Sequence, residues 1–385
     1  MTVLLWILGI LALPVVGFGL WLGGVFVKEF IKHDPSAADE NEGAEAAAKL
    51  GLLPASRLDL DRPGAADPAA EAVLQSVRGG DWEAGARFLA EAGRDWEERG
   101  RRVSILGHEA AKEDAWLLAW RAARPGDADA ALVNADSMIY LAWDIRGSMQ
   151  AKNTTREQFD GFHRVLAQAR EACAGAQALG GDDPNPYVVE MPLAMGLGYS
   201  HKDFNELWDQ AVRRAPHHLG AHQSALQYWC AKWRGSHELA LSFAREAAAK
   251  GAPGQLLTLV LLEAHFEFEF AHDDLDEDEY YKRPELMKAV DAALLDLAAA
   301  AAEAGDPKAR RLLPMRHMLA YMLYWQDRYE AAIEQFKLID GHIGTSPWTY
   351  LAGKPRFAER YTAIRDFAAG RVLEAAETGT GTGTA

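Results

Sequence analysis

Apolar residues recur every three or four positions along most of the chain, in segments separated by short breaks of Gly, Pro or Asp. This spacing places the apolar residues on one side of an α-helix, and the alternating pattern typical of β-strands is almost absent. The pattern therefore predicts an all-α fold. The 33 residues from Asp203 to Ser236 are long enough for two helices and two turns, which is the period of stacked helical hairpins.

Helix starts are predicted where a residue that can cap a helix stands three positions before Glu or Gln. Thr155, Asp203 and Asp327 each have this spacing, in which the cap and the third residue satisfy each other's free amides. Ser236 is predicted to cap a further helix after a tight turn at Trp233. These positions divide the chain into short helices rather than a few long ones.

The longest apolar run lies at the start of the chain. Residues 3–27 contain no charged side chain, and a helix of that length can cross a hydrocarbon core about 30 Å thick. The sequence therefore predicts a single-pass transmembrane anchor over residues 1–32. Lys28 and Lys32 follow the apolar run, and by the positive-inside rule they place the remaining chain in the cytoplasm. An envelope-facing assembly factor of the same fold is the alternative orientation.

The rest of the 385-residue chain divides by composition. Residues 33–68 are rich in alanine, proline and acidic residues without periodicity, so we expect a flexible linker. Residues 69–376 carry the helical pattern and are predicted to form the folded domain. Residues 377–385 read ETGTGTGTA and are expected to be a disordered tail.

Two segments resemble tetratricopeptide repeats. One is MLAYMLYWQDRYEAAIEQFKLID, Met318 to Asp340, and the other is GDWEAGARFL, Gly80 to Leu89, with Gly85 as the small residue of its second helix. In the first segment the positions that match the two packed helix faces of a repeat are Leu319, Leu323, Tyr329, Ala332 and Phe336. The resemblance implies a stacked helical-hairpin fold, an α-solenoid, whose extended groove suits a peptide or protein partner.

A longer stretch, residues 140–252, resembles a bacterial family of unknown function that has a Trp-x-Gly-Ser turn. The matching positions are Arg146, Gly147, Phe159, Phe162, Leu166, Pro184, Pro186, Trp233, Gly235 and Ser236. This resemblance implies an architecture and no assigned reaction.

Charge and cysteine content exclude several classes of function. The chain has 56 acidic and 40 basic residues, a net charge of −16, which opposes binding to nucleic acid. The only cysteines, Cys173 and Cys230, form no CxxC pair, so neither a disulfide framework nor a cysteine zinc site is expected. The chain contains no GxSxG, HExxH or phosphate-loop motif. We therefore expect no enzymatic activity and no cofactor.

Histidines cluster between His217 and His237. His218 and His222 are four residues apart, so both imidazoles could face one zinc ion on a helix. This is the basis of an alternative function, a metal-dependent hydrolase that uses a His218/His222 site. The favoured interpretation is structural, with the histidines at the start of a helix and the nearby aromatic residues packed between repeats.

The segment from Ala271 to Glu285 is strongly acidic. Asp274, Asp276 and Asp278 alternate as in a calcium-binding loop, but Glu279 occupies the position where that loop needs glycine. We therefore predict a solvated loop at residues 273–279, which could dock a basic partner.

These observations favour a membrane-tethered helical-repeat scaffold or adaptor that binds a protein or peptide. The candidate partner-binding residues are Trp143, Arg146, Trp229 and Trp233, because exposed tryptophan and arginine side chains dominate many protein interfaces.

Overall fold

A computed structural model of the chain describes residues 37–147, 154–351 and 356–380. These residues form eighteen α-helices and two short 3₁₀ turns, and their only β-structure is an isolated bridge between Asp59 and His342. The predicted all-α fold class is therefore confirmed.

The helices are numbered here in chain order. They are α1 (Ala37–Lys49), α2 (Pro68–Arg78), α3 (Trp82–Ala90), α4 (Trp96–Ala110), α5 (Ala115–Ala123), α6 (Ala128–Arg146), α7 (Arg156–Leu179), α8 (Asn185–Leu197), α9 (His201–Arg214), α10 (Leu219–Trp229), α11 (His237–Lys250), α12 (Thr258–Phe270), α13 (Glu277–Tyr281), α14 (Pro284–Ala304), α15 (Leu313–Trp325), α16 (Tyr329–Ile339), α17 (Trp348–Leu351) and α18 (Arg356–Thr380).

The described residues separate into two compact units. The first, which we call the central unit, is Ala66–Phe243. The second, the terminal unit, combines the described residues before Ala66 with those from Ala244 onward. The division falls within α11.

In the central unit, successive helices pack against each other, most extensively α6 with α7 and α7 with α8. Helix α4 also lies against α6, α8 and α10. This arrangement is consistent with a helical-repeat fold. Its core includes the fully buried Trp120, Val133 and Leu166, whose burial supplies the apolar stabilisation of the hairpins.

Gly85 shows why α3 can approach its neighbours closely. A Cβ atom added at Gly85 would meet side-chain atoms of Val77, Leu106 and Trp116 at 3.4–3.7 Å. The small residue expected in the second helix of this repeat is therefore packed on three sides.

In the terminal unit, α15 and α16 form the hairpin predicted over Met318 to Asp340. Leu319, Leu323, Ala332 and Phe336 are all buried there, and α15 and α16 pack directly on each other. The helix α12 ends at Phe270, so the alternating sequence FEFEF, Phe266 to Phe270, is helical.

The linker expected over residues 33–68 differs from the structure in its described part. Helix α1 packs on α18 and buries Ala46 and Ala47. The segment after it is also tied down, because Asp59 and Ile343 are joined through their main chains at 2.9 Å. Alanine favours helix strongly, which explains why this segment is helical. The apolar face of α1, with Ala46 and Ala47, is buried because it packs on α18, a helix more than 300 residues later in the chain.

The C-terminal segment also differs from the expectation, because α18 continues as a helix to Thr380. The tail over residues 377–385 was expected to be disordered, and its first four residues belong to this helix. Residues 381–385 lie outside the described part of the chain.

The predicted transmembrane anchor, residues 1–32, lies outside the described residues. Among the helices that the structure describes, none combines the length and the apolar character needed to cross a bilayer.

The predicted helix starts are partly confirmed. Thr155 and Gln158 form both halves of a capping box at the start of α7, and the Ser236 hydroxyl accepts a hydrogen bond from the Leu239 amide at 3.2 Å. The other two caps were misplaced. Ser200 caps α9, with Asp203 at the third helical position, and α16 begins after Arg328 without a side-chain cap.

Candidate functional site

The four predicted partner-binding residues lie in the central unit, and three of them are in one cluster. The Trp143 ring packs edge-on against Trp233 with ring centroids 5.5 Å apart, and the Arg146 guanidinium lies 5.5 Å from the Trp143 centroid. Trp143 and Arg146 are buried and Trp233 is half-buried. In the structure these side chains join α6 to the turn after α10.

Trp229 belongs to a neighbouring aromatic cluster. Its half-buried ring packs edge-on against Phe204 and His201, with centroid distances of 5.8 and 4.9 Å. The contacts tie the end of α10 to α9. The role of the four residues in partner binding stays a prediction.

His218 and His222 are both buried, but they contact different neighbours. The Nδ1 atom of His218 accepts a hydrogen bond from the Ala221 amide at 3.1 Å, so His218 caps α10. His222 donates through Nδ1 to the His218 carbonyl at 2.9 Å and packs edge-on against Trp208. Across the described ranges, no group of three or more His, Cys, Asp or Glu side chains is placed to hold a metal ion.

The acidic segment is folded at its C-terminal end. Asp276 caps the short helix α13 through the Glu279 amide, and Tyr280 and Tyr281 are buried. Asp273 and Asp274 remain exposed. Docking of a basic partner at residues 273–279 stays a prediction.

An open groove runs between α5, α6 and α7 of the central unit. Its volume is about 820 Å³. Leu118 of α5 and Leu179 of α7 line it with 51% and 44% of their surfaces exposed. These two leucines give the groove exposed apolar surface that an apolar group of a partner can cover.

Polar residues, including Arg121 and Asn134, also line the groove. Arg121 spans from α5 to α6, where its guanidinium donates to the Asn134 side chain at 2.8 Å. Gly175 faces open space, since a Cβ atom added there would have no neighbour within 4 Å. The absence of a side chain at Gly175 thus leaves room along α7 for a bound segment.

A separate, small cavity lies between α4, α6, α8 and the start of α10 of the central unit. Its volume is about 50 Å³. The lining residues are Glu97, Gly100, Ser104, His108, Asp136, Ile139, Tyr140, Asn185, Val188, Val189, Pro192, His218 and Gly220.

Asp136 is the most unusual of these residues. The residue as a whole is half-buried, but its Oδ2 atom has no exposed surface and no hydrogen-bond partner among the described residues. Because the charged oxygen is the buried part, burial raises the pKa of Asp136 to about 7. Gly107 of α4 lies directly against this carboxyl and leaves no room for a Cβ atom.

His108 and Tyr140 line the cavity together with Asp136. The rings of His108 and Tyr140 lie against each other, with centroids 3.8 Å apart. Burial, followed by the charges of Asp144 and Asp136, raises the pKa of Tyr140. The electrostatic environment of the cavity is therefore negative whenever Asp136 is ionised.

Glu97 and His218 also line the cavity, and the Nδ1 atom of His218 lies 3.4 Å from the Glu97 carboxylate. The Glu97 carboxylate accepts hydrogen bonds from the amides of Leu219 and Gly220 at the start of α10, where a helix dipole favours an anion. The His218 side chain is 4% exposed. Its Nδ1 already accepts from Ala221, so the neutral ring carries its hydrogen on Nε2, which has no partner among the described residues.

Sequence reasoning identified His218 but missed Asp136 and the groove. A signal was present, because Asp136 and Tyr140 are four residues apart in α6, and Gly100, Ser104 and Gly107 recur at helical spacing in α4. That spacing places each set on one helix face. The contact between the two faces depends on how α4 packs on α6, which the spacing does not reveal.

We compared the chain with models of known protein families, with curated proteins and with solved structures, and found no match in any of the three. The resemblance of residues 140–252 to an uncharacterised bacterial family therefore stays a prediction.

Proposed function

We propose that this protein is a helical-repeat adaptor of the tetratricopeptide-like type, and that its central unit binds a segment of a partner protein in the groove between α5, α6 and α7. The groove carries this proposal because it is open, about 820 Å³ in volume, and lined by exposed Leu118 and Leu179.

The chemistry of the groove favours a segment with a few apolar side chains. Covering Leu118 and Leu179 would remove apolar surface from water, at about 25 cal/mol per Å². Arg121 and Glu171 lie along the same groove, so its polar edges carry both signs of charge and can orient the bound segment. An amphipathic helix or an extended peptide with spaced apolar anchors meets these requirements.

The proposal is tested by capture of partners with matched groove variants. Leu118→Asp places a charge in the groove, and Gly175→Trp adds a large side chain at a position where a Cβ atom meets nothing within 4 Å. We expect both to remove a partner that the wild-type chain retains. Leu295→Asp is the control, because Leu295 is 73% exposed and lies in α14 of the terminal unit.

A partner that binds wild type and Leu295→Asp but neither groove variant supports the proposal. A partner retained equally by all four proteins would place the binding surface elsewhere. Circular dichroism of each variant separates loss of binding from loss of the fold, and exposed substitutions of this kind change stability by about 0.5 kcal/mol or less.

Membrane tethering through residues 3–27 is a second part of the proposal. It rests on the uncharged apolar length of this segment. We expect the full chain to remain in the membrane fraction after alkaline extraction, and a chain that starts at residue 37 to be released. Ala44 is exposed, so labelling of Ala44→Cys by an impermeant thiol reagent in intact cells distinguishes the predicted cytoplasmic orientation from the envelope-facing one.

A further inference from the structure

A second open groove lies in the terminal unit, where α1 packs on α18. Its volume is about 690 Å³, and its lining extends from Asn41 to Lys49 in α1 and from Glu359 to Glu377 in α18. This stretch of α18 is about 27 Å long at roughly 1.5 Å per residue. A Cβ atom added at Gly43 would lie 3.2 Å from Asp366, so the two helices approach each other closely here.

Apolar side chains form part of the groove lining. Phe367 packs edge-on against Tyr324 and Tyr329, with ring centroids 5.8 and 5.9 Å apart, and it also lines the groove. Phe367 and Leu373 are half-buried. A Cβ atom added at Gly370 would have no neighbour within 4 Å, so the space beside α18 is open at that position. The groove therefore has apolar surface that a bound segment can cover.

Carboxylates outnumber cations along the groove. The acidic residues are Glu42, Glu45, Glu359, Asp366, Glu374 and Glu377, and the basic residues are Lys49 and Arg371. Two of the carboxylates already have an arginine partner. In the part of the chain that the structure describes, Glu42, Glu45 and Glu359 have no ion pair. We call this surface the acidic groove, and its unpaired carboxylates favour a positively charged ligand.

We propose that the acidic groove binds a basic amphipathic helix of a partner protein. The apolar side chains of that helix cover Phe367 and Leu373. Its lysine or arginine side chains pair with Glu42, Glu45 and Glu359. A nucleic acid or an anionic membrane surface is repelled by these carboxylates. A second copy of the chain is disfavoured as well, because each copy has a net charge of −16.

The walls of the groove favour a helical ligand over an extended one. Both walls are α-helices, whose main-chain groups are paired within each helix, so they offer no sheet edge to an extended peptide. A helical ligand satisfies its own main chain and needs only side-chain contacts. A groove about 27 Å long accommodates about 18 helical residues, with an apolar residue at every third or fourth position.

The groove between α5, α6 and α7 has a different charge. Its lining includes Arg121, Arg124, Asp127 and Glu171, so cations and carboxylates are balanced there. The two grooves therefore favour different segments, and binding at one does not depend on binding at the other.

The experiment measures binding of a designed peptide to the full chain in a non-ionic detergent, by fluorescence anisotropy. The probe is a labelled helix of about 18 residues, with leucine at every third or fourth position and lysine at the others. A rearranged peptide of the same composition spreads the leucines over all faces of the helix. We expect the rearranged peptide to bind about tenfold more weakly than the probe. Equal binding of the two peptides would overturn the proposal, because the negative charge of the chain alone would then explain it.

Salt provides a further check on the charge of the groove. Exposed ion pairs are screened by salt, so we expect binding of the probe to weaken about tenfold between roughly 0.05 and 0.5 M salt. A peptide with glutamate in place of each lysine should not bind. Binding of the glutamate peptide as tight as that of the probe would overturn the proposal.

Matched glycine variants locate the binding surface. Gly370→Trp places a large side chain in the acidic groove and should weaken binding of the probe about tenfold or more. Gly175→Trp is the control, because it makes the same change in the other groove, where an added Cβ atom also has no neighbour within 4 Å. Equal binding to wild type and both variants would overturn the proposal. A dimer of the wild-type chain that Gly370→Trp abolishes would make a second copy the occupant and would also overturn it.

Matched charge variants test the carboxylates without adding bulk. The double variant Glu42→Gln and Glu45→Gln removes two exposed carboxylates from the groove, and we expect the loss of two ion pairs to weaken binding about fivefold. The double variant Asp273→Asn and Asp274→Asn is the control, because it removes two exposed carboxylates outside the groove. Equal effects of the two double variants would overturn the proposal. Circular dichroism checks each fold, and these exposed substitutions keep the test decisive if Gly370→Trp unfolds.

Discussion

Tyr321 of α15 donates its hydroxyl hydrogen to the carboxylate of Glu269 in α12 over 2.9 Å, in the interior of the terminal unit. Tyr281 donates to the other oxygen of the same carboxylate over 2.7 Å. Glu269 has no exposed surface, so these two hydroxyls replace the water that would otherwise solvate its charge. Burial, followed by the Glu269 charge, raises the pKa of both tyrosines.

Replacement of Tyr321 by phenylalanine should destabilise the terminal unit. The substitution removes one hydrogen bond to a buried carboxylate without changing the ring, and we expect a loss of about 1–3 kcal/mol in the free energy of unfolding. Denaturant unfolding followed by tryptophan fluorescence measures it. Tyr329→Phe is the matched control, because the Tyr329 hydroxyl donates to exposed Asp327. Equal effects of the two substitutions would show that burial of Glu269 is not the cause.

Asp136→Asn should make the central unit more stable at neutral and alkaline pH. The folded pKa of about 7 lies above the ordinary value of 3.8, so the folded state holds the proton more tightly than the unfolded state. Stability therefore falls as pH rises from about 4 to 7 and is constant above that range. A difference of this size in pKa corresponds to as much as ~4 kcal/mol of stability.

Unfolding experiments at pH 4 and pH 8 test this pH dependence. The variant should gain stability relative to the wild type at pH 8 and little at pH 4. Parallel pH profiles for the two proteins would contradict a raised pKa for Asp136.

Gly107→Ala and Gly175→Ala should change stability in opposite directions. Alanine favours helix over glycine by about 1 kcal/mol in a helix interior, and the added methyl group at position 175 meets open space. At position 107 it would overlap the Asp136 carboxyl, and we expect a net loss of about 1–3 kcal/mol. Thermal unfolding of the two variants provides the comparison, and stabilisation by Gly107→Ala would mean that α4 and α6 are not packed as described.

Thr155→Ala should weaken the start of α7. The Thr155 hydroxyl accepts from the Gln158 amide at 3.2 Å, and the Gln158 side chain accepts from the Thr155 amide at 3.0 Å. Loss of the cap should cost about 1 kcal/mol. Hydrogen exchange at the first turn of α7 measures the local effect, and unchanged protection there would argue against the capping box.

Much of the helical organisation could be predicted from local patterns. The capping box at Thr155 and the cap at Ser236 depend on residues within one helical turn of each other, and the hairpin joins α15 and α16, which follow each other in the chain. The misplaced caps show the limit of this approach. Asp203 has the expected spacing, but Ser200 is three residues earlier and its hydroxyl accepts from the Asp203 amide, so two candidate caps competed within one turn.

By itself, the sequence determined the helical class, because apolar periodicity and capping depend only on near neighbours in the chain. Tertiary structure decided what those helices enclose. The open groove requires α5, α6 and α7 to lie side by side, and the small cavity requires Asp136 and His218, 82 positions apart in the sequence, to line the same space. Helix α1 likewise packs on α18, where local composition favoured a flexible linker. The physical reason is that burial and pairing depend on contacts between distant segments, which no local pattern records.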